Sequence, residues 1–254
     1  MKKVWFANKN QSLVTINKNF MLKSRGGISS LKYIRNVIFL TLIFNLWAGY
    51  VFAWQSPYPS HTRVIINEHE NINGELIVHN PGNGVWLTQS WLEDEKGKLS
   101  GTVLPSLIRL EERFSYKLII KPYDKIMRGD TEKLLWLNIK FIPSTNKDDD
   151  NKLVIPIIYK MKVFIRPGQL RDAERKVLLK CIPLNGNWVL INNSRYYLSI
   201  VRIFSLEGGG KELSPLTLAP LKNYDLDVIR VSGKYKFEYI NDSGEVETGY
   251  FSCH

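Results

Sequence analysis

Cysteine and histidine are scarce in this chain, two of the first and four of the second in 254 residues, and that scarcity removes most thiol and metal chemistry at the outset. Cys181 and Cys253 are too few to build a structural zinc site, and His61, His69, His79 and His254 show no ligand spacing. There is no Gly-x-Ser-x-Gly elbow, no His-Glu-x-x-His motif and no cysteine beside an activating histidine, so no enzyme class is indicated. No pair of carboxylates sits in a context that suits glycoside cleavage. Gly208, Gly209, Gly210 and Lys211 lack the earlier glycine and the following Ser or Thr of a phosphate loop, and read as a hairpin turn. The acidic clusters Glu93–Glu95 and Asp148–Asp150 lie among turn residues and read as solvated charge, since three consecutive side chains converge poorly on one calcium ion. The sequence therefore calls for no cofactor and no metal, and it shows no amphipathic helical stretch.

Acid is absent from the first 53 residues, which hold eight Lys or Arg before the apolar run Val37–Ala53. That is the plan of a secretory signal, with Val51 and Ala53 placing the cut before Trp54. Met21 is an alternative start, and a retained anchor is the alternative fate, although Asn45 interrupts a run already short for a span of about 20 residues. Removing those eight from the 35 basic residues leaves 27 against 24 acidic, a net charge of +3. The high pI thus belongs mostly to the leader and gives no ground for nucleic-acid binding. An exported chain meets an oxidising compartment, where a Cys181–Cys253 bridge could persist, but the sequence does not settle whether the two pair.

What the remaining chain has in abundance is short β-prone runs between turn residues. Seven such runs lie between Thr62 and Pro167, and seven more follow the charged stretch Arg171–Lys176. The expected fold is all-β, two immunoglobulin-like sandwiches of about 100 residues each, with residues 1–53 as signal peptide, 54–168 as the first domain and 169–254 as the second.

The run from Leu153 to Pro167, LVIPIIYKMKVFIRP, breaks the pattern. Pro156 has no amide hydrogen to donate, which assigns this strand to a sheet edge. A water-facing edge should alternate apolar with polar, yet Leu153, Ile155 and Ile157 are matched by Val154 and Ile158 on the opposite face. Either the strand is buried on both faces, or it lends an apolar row to another chain. Arg63 in the first strand and Lys162 in this last one are open to two readings as well: a cleft-lining pair would bind a terminal carboxylate, an exposed pair would aid solubility. Trp86, Trp91 and Trp136 read as sandwich core.

In order along the chain, TRVIINE, WLTQSWLED, IRLE, TEKLLWLNIKFIP and MKVFIRP, with YINDSG near the end, resemble the periplasmic pilus assembly chaperones of the chaperone/usher pathway. The resemblance covers nearly all of the chain beyond the leader. It implies two immunoglobulin-like domains in a boomerang, a periplasmic location, and binding of pilus subunits that lack their own last strand. On that resemblance Leu153, Ile155 and Ile157 are the donor-strand residues that fill the subunit's groove, and Arg63 and Lys162 anchor its C-terminal carboxylate. Glu132, Arg166 and Asp242 map to an interdomain ion network that holds the angle between domains. The implied partners are pilus subunits and an outer-membrane usher; an exposed donor strand also leaves open a self-dimer of the free protein, which the sequence does not settle; the rival reading is an extracellular adhesin or structural pilus component. Three positions depart from the family pattern: Pro156 stands within the donor run, Val85 replaces a frequent proline, and Cys181 and Cys253 lie much farther apart than the family's occasional C-terminal pair.

Overall fold

The computed structural model describes residues 35–39, 55–70, 72–144, 153–170, 177–184, 186–206, 215–225 and 232–254. Most of the expected leader, the Asp148–Asp150 cluster, the tri-glycine turn and the charged linker lie outside these residues. Residues 35–39 are helical, and among the described residues no helix is long and apolar enough to cross a membrane.

From Tyr58 onward the chain is strand after strand. The first sandwich comprises β1 (Tyr58–Pro59), β2 (Arg63–Asn67), β3 (Gly74–His79), β4 (Trp86–Glu93), β5 (Gly101–Leu104), β6 (Leu107–Leu110), β7 (Ser115–Pro122), β8 (Lys133–Pro143) and β9 (Ile157–Arg166). They form one sheet in the order β1-β3-β7-β5 and another in the order β2-β9-β8-β4-β6. Strict alternation drives this arrangement: in β4, Trp86, Thr88, Ser90 and Leu92 turn inward while Leu87 and Gln89 face out, as period-two side-chain geometry requires. The inward rows of both sheets meet in one core, with Leu76, Leu118, Ile120, Leu137, Ile139 and Phe141 among its fully buried members.

One expected strand divides in the structure. One of the seven runs expected as strands between Thr62 and Pro167, TVLPSLIRLE from Thr102 to Glu111, is not one strand: Pro105, which cannot donate to a ladder, lies between β5 and β6, and those two strands belong to opposite sheets. A helical turn, Asp124–Met127, also joins β7 to β8, anchored by buried Met127; one turn is too short to leave a periodic signal.

The second sandwich holds β10 (Leu179–Leu184), β11 (Asn187–Asn192), β12 (Leu198–Ser205), β13 (Leu216–Leu218), β14 (Asn223–Asp225), β15 (Gly233–Ile240) and β16 (Val246–Cys253). Its antiparallel groups, β13-β12-β15-β16 and β10-β11-β14, are joined in the ladder, among the described residues, by one parallel pair, Cys181 opposite Cys253. A disulfide joins those two residues, with Cα atoms 4.9 Å apart. Around it Leu190, Leu198, Ile200, Ile203, Tyr235, Phe237 and Phe251 form a separate core. Gly249 of β16 packs under the Phe237 ring, where a Cβ would come within 2.2 Å of the ring.

Candidate functional site

The last strand of the first sandwich is only half paired. Along one side β9 is hydrogen-bonded to β8 over nearly its whole length. Along the other, β2 lies parallel to it but covers only Lys162–Arg166. Among the described residues, Ile157–Met161 has no strand on that side. The segment before it, residues 153–156, is not in a strand, so the strand starts after Pro156 rather than running through it. The proline's missing amide therefore removes no bond from the β8–β9 ladder, and the expectation of a proline inside the strand is corrected.

Ile157, Tyr159, Met161, Val163 and Ile165 share one face, and all five pack on the first core. Ile157 is thus partly committed to its own domain. Leu153 and Ile155, at 85% and 65% relative exposure, are not. Val154 and Ile158 are exposed too, so apolar surface lies on both sides of the segment leading into the free edge.

Beyond Met161 the outward face of β9 turns from exposed to buried, because the second sandwich covers it. Lys162 Nζ donates to Ser199 Oγ at 3.1 Å and to Thr217 Oγ1 at 2.5 Å. Arg63 sits directly across from Lys162 in the parallel register. Its Nη1 donates to the carbonyls of Ile240 (3.3 Å) and Asn241 (3.0 Å), and its guanidinium lies 5.8 Å from the centre of the Phe164 ring. Inward Val64 and Ile66 on β2, and inward Met161 and Val163 on β9, fix both cations on the outward face. Burial and the neighbouring Arg63 charge push the Lys162 pKa below the ordinary lysine value. Among the described residues Lys162 meets hydroxyls and no carboxylate. Two like charges held together in a partly dry cleft favour the arrival of an anion.

Deeper in the same cleft, Arg166 joins the two sandwiches. Its Nε donates to Glu132 Oε1 at 2.8 Å and its Nη2 to Asp242 Oδ2 at 2.7 Å. The Arg166 and Glu132 side chains are each 2% exposed. Glu132 Oε2 accepts from the amide of Tyr197 at 2.7 Å, and the Glu132 amide donates to the Arg195 carbonyl at 2.8 Å. Burial works against the Arg166 charge, but Glu132 and Asp242 outweigh it and raise its pKa. The sequence-implied trio is therefore contiguous in space, and the Tyr196–Tyr197 segment, which carried no sequence signal, completes it: the Tyr196 ring lies 5.4 Å from the guanidinium.

The tryptophans separate. Trp86 is buried in the first core, but Trp91 and Trp136 face the other way, on the sheet surface that carries Lys162. They belong to a cluster that a reading of the sequence missed. Lys160 Nζ lies 3.0 Å from Glu93 Oε1 and 5.2 Å from the centre of the Trp136 ring, while Trp91 Nε1 donates to Glu93 Oε2 at 3.0 Å. Burial works against ionisation of Glu93, but hydrogen bonds from Lys160, Trp91 and Asn138 outweigh it and hold its carboxyl below the usual range. Ser199 and Thr217 were missed as well, since a hydroxyl within a strand run has no distinguishing pattern.

Comparison with known proteins identifies the family. The family model described as the pili and flagellar-assembly chaperone PapD N-terminal domain matches residues 58–171, and that of the PapD C-terminal domain matches residues 172–251. The probable fimbrial chaperone SfmC of Escherichia coli K12 is 31% identical over 194 residues, spanning 73% of this chain and 83% of that protein. Chaperone protein FimC of the same strain is 28% identical over 194 residues, spanning 72% and 78%. The fold is shared with the Pseudomonas aeruginosa CupB2 chaperone (TM-score 0.65, 23% identity, 78% of this chain and 100% of that one). It is shared too with the Salmonella enterica SafA pilin–SafB chaperone complex (TM-score 0.65, 24% identity, 80% and 97%). The chain belongs to the PapD family of pili assembly chaperones.

Proposed function

We infer that the chain is a pilus assembly chaperone and that it works in the periplasm, holding a subunit along the free edge of β9. The observation that carries this is the continuity of an unpaired strand edge, Ile157–Met161, with a cation pair, Lys162 and Arg63, at its end. An incoming strand on that edge continues the line of β2. With its terminal carboxylate at the cations it must run parallel to β9, and its register is set, which matters because a one-residue slip exchanges the two faces of a strand. Leu153 and Ile155 then enter the subunit's groove, each worth about 1.5 to 3 kcal/mol of burial, while Ile157, the third residue of the row, adds less because it already packs in part on the first core. The Glu132–Arg166–Asp242 network holds the sandwiches so that cations from the first and hydroxyls from the second face one cleft.

The loaded chaperone delivers its subunit to an outer-membrane usher, where a strand from another subunit replaces the borrowed one. In the free protein the same apolar edge pairs with a second copy; sedimentation of purified protein that finds only monomer at high concentration would reject this pairing. The decisive experiment is periplasmic co-purification with pilin-like subunits of the same organism, comparing wild type with Lys162→Ala and Ile155→Asp. A one-to-one complex with wild type alone is expected. Equal recovery by all three, or by none, overturns the reading.

A further inference from the structure

We propose that Lys160 is a second reading point on the bound strand, selecting an acidic side chain on the subunit residue that lies across from it. This rests on the strand-capture reading above and adds a sequence preference that the terminal carboxylate cannot supply, since every chain ends in one.

Lys160 is two residues before Lys162 on β9, and by strand alternation it shares the outward face with Lys162. It lies within Ile157–Met161, where the edge is open. Residues paired across two strands put their side chains on the same face, so one subunit side chain comes to rest beside Lys160. At a rise of roughly 3.3 Å per residue, that residue is among the last few before the carboxylate held at Lys162.

The chemistry follows from how the ammonium is held. Glu93, whose side chain is 15% exposed, takes one Lys160 donor on Oε1 and the Trp91 indole N–H on Oε2. The Trp136 ring lies on another side of the ammonium. An ordinary surface lysine keeps its rotamer freedom, whereas this one is clamped, so little ordering remains to be done on binding. An ammonium has three donors; one goes to Glu93, and the side chain is still 52% exposed, which leaves donors for an incoming acceptor. Among the strand residues paired around it, this face carries Lys140, Lys160 and Lys162 with Glu93, and Arg63 at the end of the row. Glu93 already accepts from Lys160 on one oxygen and from Trp91 on the other. A carboxylate fits this excess of positive charge, and a lysine at the same place is repelled.

The test uses the full chain and synthetic β-prone peptides with a free C-terminal carboxylate, each carrying aspartate, asparagine or lysine in turn at every position near the end. Binding is read by tryptophan fluorescence for wild type, Lys160→Gln and Lys160→Glu, and again with the peptides amidated at the C-terminus. Wild type should prefer aspartate over lysine by about tenfold at one position only, Lys160→Gln should lose that preference, and Lys160→Glu should reverse it. Amidation should weaken all peptides alike. If amidation weakens binding but the ranking is the same in all three proteins, Lys160 selects nothing and the proposal falls while strand capture stands. If no peptide binds, or amidation changes nothing, the anchor reading falls and the proposal with it.

Discussion

Arg63 and Lys162 are opposite partners in the parallel β2–β9 pair, and the hydroxyls that receive Lys162, Ser199 and Thr217, are themselves opposite partners in the antiparallel β12–β13 pair. A cation pair on one sandwich thus faces a hydroxyl pair on the other, each fixed by a strand ladder rather than by a loop. Hydroxyls that accept from an ammonium keep their own hydrogens free to donate. An arriving carboxylate therefore meets donors from both domains without first breaking an internal ion pair of Lys162.

The first prediction is a pH effect on that site. The Lys162 pKa is depressed by burial and by Arg63, so the folded free protein releases this proton at a lower pH than the unfolded chain does. Between the two pKa values the unfolded state binds more protons, and stability of the free protein rises with pH across that window. If Lys162 anchors the subunit carboxylate as proposed, subunit binding moves oppositely and weakens as pH rises through the depressed pKa. Titrating affinity in the alkaline range should show this loss for wild type, and Lys162→Arg should flatten it, because a guanidinium stays charged.

Removing Glu132 should destabilise far more than its single side chain suggests. Glu132→Ala leaves Arg166 buried without its most enclosed partner, and breaking a buried pair on one side costs about 3 to 5 kcal/mol. Replacing both residues with apolar ones of similar size should recover much of that loss. Urea unfolding of the single and double variants makes the comparison, and equal losses in both would show that the pair contributes net stability of its own.

The disulfide should matter through the sandwich it closes. Among the described residues the Cys181–Cys253 pair alone connects the two strand groups of the second domain through the backbone ladder, and the bridge spans 72 residues of sequence. Replacing both cysteines with serine, or reducing the protein, should cost about 2 to 5 kcal/mol. Denaturant unfolding with and without reductant should show the shift in wild type and none in the double variant.

Alternating runs such as β4 and β7 were readable because one face meets the core and the other meets water, a contrast that composition records at every second residue. Where that contrast fails, the sequence misled: Trp91 and Trp136 looked like core although they face away from it, and their apolar rings cover a lysine and a carboxylate instead. Arg63 and Lys162 gave open readings on their own because parallel pairing between distant segments leaves no local trace, and only resemblance put them together. Ser199, Thr217 and Tyr197 were illegible for the same reason, since each acquires its role from the packing of one domain on the other.

Ile155 and Ile157 should separate binding from folding. Both belong to the apolar row expected to enter a subunit, but Ile155 is 65% exposed and lies outside any strand, while Ile157 opens β9 and packs against the first core. Ile155→Asp should leave the melting temperature nearly unchanged, because surface substitutions away from packed groups cost within about 0.5 kcal/mol, yet it should abolish subunit recovery by placing a charge in an apolar groove. Ile157→Asp should damage both, since the carboxylate enters the edge of the core and drags at the start of the strand. Thermal melts and co-purification on the same preparations decide it. If Ile155→Asp lowers stability as much as Ile157→Asp does, the segment before Pro156 is packed in the free protein, and the exposed row that strand donation needs is absent.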